Sequence, residues 1–301
     1  MAPRLDIAFP SQGLDCSAWL YLPEGGRPAP VIVMAHGLGS VRGMRLDAFA
    51  ERFCAAGYAC LVFDYRHFGD SEGHPRQLLD IKKQLQDWKA AIAYARSRSD
   101  VDSRRVIIWG TSFSGGHVLS IAADDPKLVA VISQCPFTDG LASSLATPPL
   151  TSLKVTALAL RDQFSAWTGG KPVMVASAGK PGSTALMAAP DCEAGYLGLV
   201  PERKPTTFQN RVAARIALQI TGYYPGKRTP QITAPVLFCV CAEDSVAPAK
   251  QTLAHAKRAP KGEVKVYQDG HFDIYVGQPF EHVVRDQLAF LERAVPLNQG
   301  H

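Results

Sequence analysis

The stretch Gly110-Thr111-Ser112-Phe113-Ser114-Gly115-Gly116 decides the fold, because it places a serine between two apolar segments. The run before it, Val106-Ile107-Ile108-Trp109, predicts a strand, and the apolar residues from 117 to 123 can continue a helix. A serine at a sharp strand-to-helix turn, with small neighbours that let strand and helix approach closely, is typical of a nucleophile elbow. Ser112 is therefore the candidate nucleophile.

Two alternatives for this stretch stay open. The strict Gly-x-Ser-x-Gly pattern would have glycine at position 114, and the same residues can be aligned with Ser114 as the nucleophile. That alignment requires the strand to continue through Ser112, whereas Trp109-Gly110 is the better strand end. In the second alternative, Ser112 is only the N-cap of a serine-rich helix start.

Strands and helices alternate on both sides of this turn, which predicts a doubly wound, mostly parallel α/β sheet. A leading antiparallel pair, 7–9 and 16–21, precedes an unbroken apolar strand at 31–35, of the kind that is buried on both faces. The other predicted strands are 59–63, 106–109, 128–133, 236–241 and 263–268, and the predicted helices are 46–56, 81–98, 112–123, 249–258 and 280–294.

The alternation breaks at Pro136 and resumes at Pro235. The interval has helical apolar spacing over 151–167 and 208–220, and the segment between them is too apolar for a solvated linker. Ligands bind open α/β sheets at the carboxyl ends of the strands, so we expect an inserted helical cap there. An independent interaction domain is the alternative. The predicted division is an α/β core of 1–136 and 230–301 with a cap of 137–229.

The composition narrows the class of protein. A chain of 301 residues, 47% hydrophobic and 20% charged, can form one large α/β domain with an insertion. A net charge of +5 with scattered Lys and Arg gives no indication of nucleic-acid binding. Seven cysteines without zinc-ligand spacing suggest neither a disulfide framework nor a metal site. The start of the chain lacks a signal-peptide pattern, and no run of about 18 uncharged apolar residues occurs. We expect a cytoplasmic protein without membrane insertion.

His271 is the candidate base. A serine hydroxyl needs a base to take its proton, and that base needs an acid to orient it and stabilise its charge. His271 follows the predicted strand 263–268 and precedes the closing helix, on the same sheet edge as the serine. The other histidines beyond Ser112 are His117, His255 and His282, the last two expected on exposed helix faces, and His301 in the terminal tail.

Asp244 is the candidate acid, because it follows the predicted strand 236–241; Glu243 and Asp139 remain alternatives. The oxyanion hole is expected in the turn His36-Gly37-Leu38-Gly39, which follows a buried strand. The backbone N–H of Leu38 would pair there with that of Phe113, the residue after the nucleophile. In this interpretation His36 is structural and holds the loop.

With these residues in place, the chain resembles the serine hydrolases of the α/β-hydrolase fold, over about residues 5–136 and 230–295. Serine, acid, histidine is the chain order of that fold. Two further stretches, Asp64-Tyr65-Arg66-His67-Phe68-Gly69-Asp70-Ser71-Glu72-Gly73 and Gly270-His271-Phe272-Asp273-Ile274-Tyr275, are similar to the DxRGxGxS turn and the terminal GHF loop of one subgroup. That subgroup includes the dienelactone-hydrolase-like proteins and the fungal polyketide transferases.

The first of these stretches departs from the subgroup at His67, where glycine is common. His67 is therefore a candidate pocket residue, and so is Tyr65. Asp64, Arg66 and Asp70 are expected to form a structural charge network.

The resemblance implies an esterase without cofactor or metal, in which water clears an acyl-enzyme formed on Ser112. The apolar bias of 137–229 favours a small, moderately hydrophobic ester substrate. One alternative is an acyltransferase that uses the same triad, and another is a non-catalytic binding protein on this fold. A homodimer also stays open, because core packing explains the amphipathic helix 280–294 as well as a dimer seam does.

Overall fold

The computed structural model describes residues 4–26, 28–202 and 207–297. Residues 1–3, 27 and 298–301 of the predicted core, His301 among them, and 203–206 of the predicted cap lie outside that description. The described strands are, in chain order, β1 (Arg4–Ser11), β2 (Leu14–Tyr21), β3 (Ala29–Ala35), β4 (Ala59–Phe63), β5 (Val101–Thr111), β6 (Ala130–Gln134), β7 (Met174–Ala178), β8 (Ala185–Met187), β9 (Val212–Ala213), β10 (Val236–Cys241) and β11 (Gly262–Tyr267).

Helices connect most of these strands. One of them is α2 (Ile81–Ser97), where the side chain of the N-cap residue Asp80 accepts a hydrogen bond from the backbone N–H of Lys83 at 2.9 Å. The described α-helices are α1 (Leu46–Ala55), α2 (Ile81–Ser97), α3 (Phe113–Asp124), α4 (Gly140–Ala146), α5 (Pro149–Trp167), α6 (Cys192–Leu197), α7 (Ala217–Ile220), α8 (Ala249–Ala256) and α9 (Gly277–Ala294).

The central sheet has eight strands in the order β1-β2-β4-β3-β5-β6-β10-β11. Strand β2 runs antiparallel to both of its neighbours, and every pairing from β4 to β11 is parallel. Helix α1 contacts α9, and α2 contacts α3, so that helices cover the sheet. The predicted α/β-hydrolase fold is confirmed. Because the strands are parallel, the segments after β3, β5, β10 and β11 all emerge at one edge.

The predicted strands and helices of this core agree with the structure to within a few residues at most ends. The largest difference is β5, which begins at Val101 and not at Val106. Its first residues pair with Ala29 and Pro30, and the register then shifts before Val31 pairs with Val106. The charged residues between 102 and 105 concealed this early start, because they interrupt the apolar pattern.

The inserted interval contains helices α4 to α7 and also a small sheet of order β8-β7-β9, which the sequence pattern did not predict. The predicted helix over 208–220 was wrong for most of its length. The structure has β9, a 3-10 turn at Ala214–Ile216 and only then α7. The segment has apolar residues at helical intervals, but Val212, Ala213 and Ala214 are buried in succession because the chain is a short strand and a turn there.

Helix α5 is tied to this small sheet through a buried carboxylate. Asp162 accepts hydrogen bonds from the backbone N–H of Val173, at 2.7 Å, and from that of Arg215, at 2.9 Å. The guanidinium of Arg215 completes the contact, with Nε 2.6 Å from the carboxylate. A buried charge that is paired and hydrogen-bonded in this way fixes the position of α5 on the small sheet.

Candidate active site

Strand β5 ends at Thr111 and helix α3 begins at Phe113, so Ser112 alone makes the turn between them. Its backbone has φ 57° and ψ −119°, a conformation that non-glycine residues rarely adopt. The surroundings hold it there, since the N–H of Ser112 donates to Gln134 O at 2.9 Å and its carbonyl accepts from the N–H of Phe137 at 2.9 Å. Strain of this kind is typical of a nucleophile elbow.

Two glycines make close packing around the turn possible, Gly110 between β5 and α3 and Gly116 between α3 and the loop after β6. A Cβ atom on Gly110 would lie 2.3 Å from the carbonyl oxygen of Ser114, and one on Gly116 would lie 2.2 Å from that of Phe137. Ser114 occupies the position where the strict motif has glycine. Its hydroxyl lies 2.5 Å from the hydroxyl of Tyr65 and 3.2 Å from Nε1 of Trp88, in a fully buried cluster. The side chain of Ser114 is therefore engaged in the core.

The structure brings Ser112, His271 and Asp244 together in one hydrogen-bonded chain. Nε2 of His271 lies 2.9 Å from Oγ of Ser112, and Nδ1 lies 2.7 Å from Oδ2 of Asp244. The other oxygen of Asp244 accepts the backbone N–H groups of Val246 and Ala247 at 2.8 and 2.6 Å. The imidazole and the carboxylate are both 2% exposed. This arrangement can hold His271 in the tautomer that accepts a proton from Ser112.

The pKa of His271 reflects two opposing influences. Burial alone would lower it, but the adjacent Asp244 carboxylate favours the protonated ring and raises the pKa well above its ordinary value of 6.5. A ring with a raised pKa is a stronger base when it is neutral, and it needs a higher pH to become neutral.

The alternatives for base and acid have other contacts. Asp139 is the N-cap of α4, where its carboxylate accepts the N–H of Ala142 at 2.9 Å, and Glu243 is exposed. His282 is exposed as expected, whereas His255 is half-buried against Gly226, contrary to expectation. His117 is buried, where its ring contacts the side chains of Tyr223 and Gln84 at 2.8 and 2.9 Å.

Leu38 and Phe113, whose backbone N–H groups are the predicted oxyanion donors, line the cavity that opens at Ser112. Phe113 is the first residue of α3, so its N–H has no partner inside the helix. A Cβ atom on Gly37 would lie 2.9 Å from Cβ of Ser112, which shows how closely the preceding turn approaches the serine.

His36 is placed to orient the N–H of Leu38. Nδ1 of the buried His36 ring lies 3.0 Å from the carbonyl oxygen of Gly37. Burial lowers the pKa of His36, which keeps the ring neutral. The Gly37 carbonyl and the Leu38 N–H belong to the same planar trans peptide and point in opposite directions. Holding the carbonyl therefore also fixes the direction of the Leu38 N–H.

The inserted interval reaches the same turn through Tyr196. Its hydroxyl donates to the carbonyl oxygen of Leu38 at 2.8 Å and also contacts the hydroxyl of Ser40 at 3.3 Å. This contact could not be predicted from the sequence, because Tyr196 lies far from Leu38 along the chain, in a segment without a recognisable motif.

A cavity of about 390 Å³ opens at Ser112. None of the described residues that line it carries a charge; serine and threonine hydroxyls are its main polar groups. Leu38, Phe113 and Phe137 from the core face Val155, Met187 and Ile220 from the inserted interval across this space. A second, smaller space of about 20 Å³ lies between Ser112, His271 and Tyr196.

The prediction of Tyr65 and His67 as pocket residues was wrong. Neither lines the two spaces beside Ser112. Tyr65 is fully buried, with its hydroxyl bonded to Ser114 and Trp88, and Nδ1 of His67 lies 3.0 Å from the carbonyl oxygen of Pro75. Both residues belong to the DxRGxGxS-like turn, which was expected to border the pocket, but the turn places their side chains in the core.

That turn is held by ion pairs, as expected for Asp64, Arg66 and Asp70. Their partners, Arg42 and Asp87, were not predicted from the sequence. Arg42 binds both Asp64 and Asp70, the latter at 2.8 Å, and Arg66 pairs with the fully buried Asp87.

The part of the chain that the structure describes has neither a metal-binding cluster nor a membrane-spanning helix. No group of three or more His, Cys, Asp or Glu side chains in that part of the chain is placed to hold a metal ion. None of its helices is both long and apolar enough to cross a membrane.

Comparison with known proteins relates the chain to hydrolases. Residues 13–150 match the family model of the X-Pro dipeptidyl-peptidases (S15 family). The chain is 62% identical over 293 residues to the quorum-quenching protein AidA of Acinetobacter baumannii (strain MDR-ZJ06), a match that covers 97% of this chain and 96% of that protein. It is 28% identical over 303 residues to the polyketide transferase ATR5 of Stachybotrys chlorohalonatus, covering 96% and 97%.

Among solved structures, the α/β hydrolase GrgF from Penicillium sp. sh18 superposes with a TM-score of 0.84 at 23% sequence identity. The match covers 98% of this chain and 100% of GrgF. At this identity the likeness concerns the fold, and the fold agrees with the sheet order described above.

Proposed function

Because this chain belongs to the α/β-hydrolase family, in the subgroup of AidA and the polyketide transferases, we propose that it is a serine hydrolase of carboxylic esters. Ser112 is the proposed nucleophile, His271 the base and Asp244 the acid. One observation carries the proposal. A single imidazole bridges the hydroxyl of a strained elbow serine, at 2.9 Å, and a buried carboxylate, at 2.7 Å.

In the proposed reaction, Nε2 of His271 takes the Ser112 proton as Oγ attacks the acyl carbonyl. The N–H groups of Leu38 and Phe113 stabilise the oxyanion that forms on the carbonyl oxygen. The imidazolium then returns its proton to the departing alkoxide, and the alcohol leaves. Water, deprotonated by His271, attacks the acyl-enzyme and releases the carboxylic acid.

The uncharged lining of the cavity supports a neutral substrate with an apolar acyl or alcohol group. A cyclic ester meets this description as well as a linear one does, and the quorum-quenching relative makes a small signalling ester or lactone the first class to test. A dipeptidyl-peptidase binds the cationic amino group of a peptide, and no described carboxylate lines the cavity. The cavity therefore does not favour a dipeptidyl-peptidase activity.

We also propose that residues 137–229 act as a cap. Tyr196 contacts the Leu38 turn, and Val155, Met187 and Ile220 line the cavity, so this interval would select the substrate while the core performs the chemistry. All seven cysteines are free and buried, which suits a reducing compartment and supports our expectation of a cytoplasmic protein.

The direct test is hydrolysis of p-nitrophenyl esters of increasing acyl length and of an acyl lactone, with the acid product identified by mass spectrometry. We expect turnover of the neutral, moderately apolar members. Absence of turnover, with the folded protein verified by its thermal transition, would count against the ester assignment.

Acyl transfer is the second candidate, favoured by the polyketide transferase relative and by the apolar cavity, which limits access of water. Adding a competing alcohol or thiol to the same reaction separates the two activities. A hydrolase gives mainly the acid, whereas a transferase gives mainly the new ester or thioester.

A further inference from the structure

Helix α5 carries an exposed apolar stripe. Its members follow one another at intervals of three and four residues, the 3.5-residue repeat at which one helix packs along another. The large members are far more exposed than apolar side chains of a folded core, at 58% to 77%. The α5 stripe consists of Leu150, Leu153, Ala157, Leu160, Phe164 and Trp167.

The opposite face of α5 already has its partners. Val155 and Ala159 are buried, and Asp162 is bound by Arg215 and by the backbone of the small sheet. Helix α5 is therefore fixed on the molecule with the stripe turned outward. A contiguous apolar surface of this kind, held on a rigid element, marks an interaction site.

We propose that the α5 stripe binds the α5 stripe of a second copy of this chain, in antiparallel orientation. The intervals of the stripe are three, four, three, four and three, which read the same in both directions. A two-fold axis between residues 158 and 159 therefore brings Leu150 opposite Trp167, and Leu153 opposite Phe164. It also brings the small Ala157 opposite Leu160, so that a large side chain meets a gap.

The exposed apolar area of the α5 stripe is large enough for a dimer interface with a second copy of the chain. Together with Leu145, which is 76% exposed on the neighbouring α4, the large side chains of the stripe present an apolar surface of the size that dimers use. That surface is on the order of 700 Å² if each fully exposed side chain offers roughly 150–250 Å². A standard interface buries about 800 Å² per partner.

The charges beside the stripe predict how salt acts. Lys154 and Arg161 are exposed along one flank of the stripe, and α5 has no exposed acidic residue. In the antiparallel pair, Lys154 of one copy lies near Arg161 of the other, so that salt should strengthen the pairing by screening their repulsion. Binding of the same helix to an anionic membrane would instead weaken with salt.

The pairing would also border the substrate cavity. Thr156 is exposed next to Ala157 and lines the cavity, as do the adjacent Val155 and, one turn away, Ser152. The second copy therefore would stand at the edge of the cavity opening. This inference rests on the surface of α5 and holds whether or not the proposed ester chemistry is correct.

Sedimentation equilibrium of the full chain, at about 0.05 and 0.5 M NaCl, tests the pairing. We expect a dimer that is tighter at the higher salt, and a loss of self-association of roughly thirtyfold or more in Leu160→Lys/Phe164→Lys. Leu5→Lys, at an apolar residue 45% exposed on β1, is the matched control and should remain a dimer. A monomeric wild type, or a dimer unaffected by the double substitution, would overturn the proposal.

Cross-linking provides a test that does not depend on how well the lysine variant folds. All seven native cysteines are buried, so that Ala157→Cys adds an accessible thiol close to the proposed two-fold axis. Oxidation should give a covalent dimer of Ala157→Cys, and Lys127→Cys, at an exposed position outside α5, should stay monomeric. Equal cross-linking of the two variants would contradict the pairing. A wild type that stays monomeric and sediments with phosphatidylcholine–phosphatidylglycerol vesicles would also contradict the pairing. That result would assign the α5 stripe to a membrane surface.

Discussion

The core around Ser112 and the inserted interval 137–229 build the same cavity from different kinds of sequence. In the core, each site residue directly follows a parallel strand, and the strand ends converge at one sheet edge. In the insertion, short strands and turns are held by individual contacts such as Asp162 with Arg215. We therefore expect substitutions of the core site residues to abolish the reaction, and substitutions in the insertion to change only its rate or its substrate selectivity.

The largest effect is expected for Ser112→Ala. Removing the proposed nucleophile should lower kcat by roughly 10⁴- to 10⁶-fold, because triad members act as a unit. Progress curves of ester hydrolysis measure the loss. Ser114→Ala is the matched control, since that hydroxyl contacts Tyr65 and Trp88, and we expect it to reduce stability but to leave most of the activity. Equal losses in the two variants would contradict the assignment of Ser112.

Asp244→Asn should come next, with kcat lowered by about 10⁴-fold, because an amide leaves His271 in the wrong tautomer. The control is Asp139→Asn, at the aspartate that follows strand β6. It caps α4, where asparagine is as good an N-cap, so that both rate and stability should be nearly unchanged. Steady-state kinetics on both proteins would expose an error if Asp139→Asn were the more damaged.

The pH profile should show the raised pKa of His271. The neutral ring is the base, so kcat/KM should rise with pH, by about tenfold per unit below that pKa, and level off above it. The midpoint is expected above 6.5, the ordinary histidine value. His67 and His117 do not interfere, because burial lowers their pKa to about 4 and about 3. A midpoint below 6.5 would mean that Asp244 does not hold the imidazolium as the geometry indicates.

A moderate effect is expected for Tyr196→Phe, which tests the link between the two regions. The substitution removes the hydrogen bond to the carbonyl oxygen of Leu38 and should lower kcat by up to about tenfold, since such a bond contributes roughly 0.5–1.5 kcal/mol. Tyr224→Phe, a tyrosine of the same interval that stacks with Lys227, should have no effect. If kcat were unchanged and only KM rose, Tyr196 would bind substrate and not support the oxyanion turn.

The smallest effect is expected for Val155→Leu in the cavity wall. The larger side chain should reduce kcat/KM for long acyl chains relative to short ones by roughly tenfold, the value of about one methylene in an apolar pocket. Short esters should react as before. Val266→Leu on the exposed side of β11 is the control, and a uniform loss across chain lengths would show that Val155 supports the fold and not selectivity.

The core could be read from the sequence because local and long-range signals agree there. The apolar run before Ser112 and the small residues around it describe a strand, a turn and a helix without reference to the rest of the chain. Leu38, Asp244 and His271 each follow a run of the same kind, so that the parallel topology brings them together.

The insertion could not be read in the same way, because its structure depends on contacts between distant residues. Nothing near Tyr196 shows that its hydroxyl reaches Leu38, and nothing near Asp162 shows that it binds Arg215. Over 208–220, the apolar residues have helical intervals in the sequence, but the structure buries Val212, Ala213 and Ala214 in succession. The prediction of Tyr65 and His67 as pocket residues was wrong for a related reason. The turn that carries them packs its side chains into the core, and the direction of these side chains could not be predicted from the sequence.

The most direct test of the account is covalent labelling with a fluorophosphonate, followed by intact mass and peptide mapping of wild type, His271→Ala and Ser114→Ala. We expect a single adduct on Ser112 in the wild type and in Ser114→Ala, and none in His271→Ala, because the hydroxyl reacts only when Nε2 can take its proton. An adduct on Ser114, or an unlabelled wild type that is fully folded, would contradict the central claim that Ser112 is an activated nucleophile.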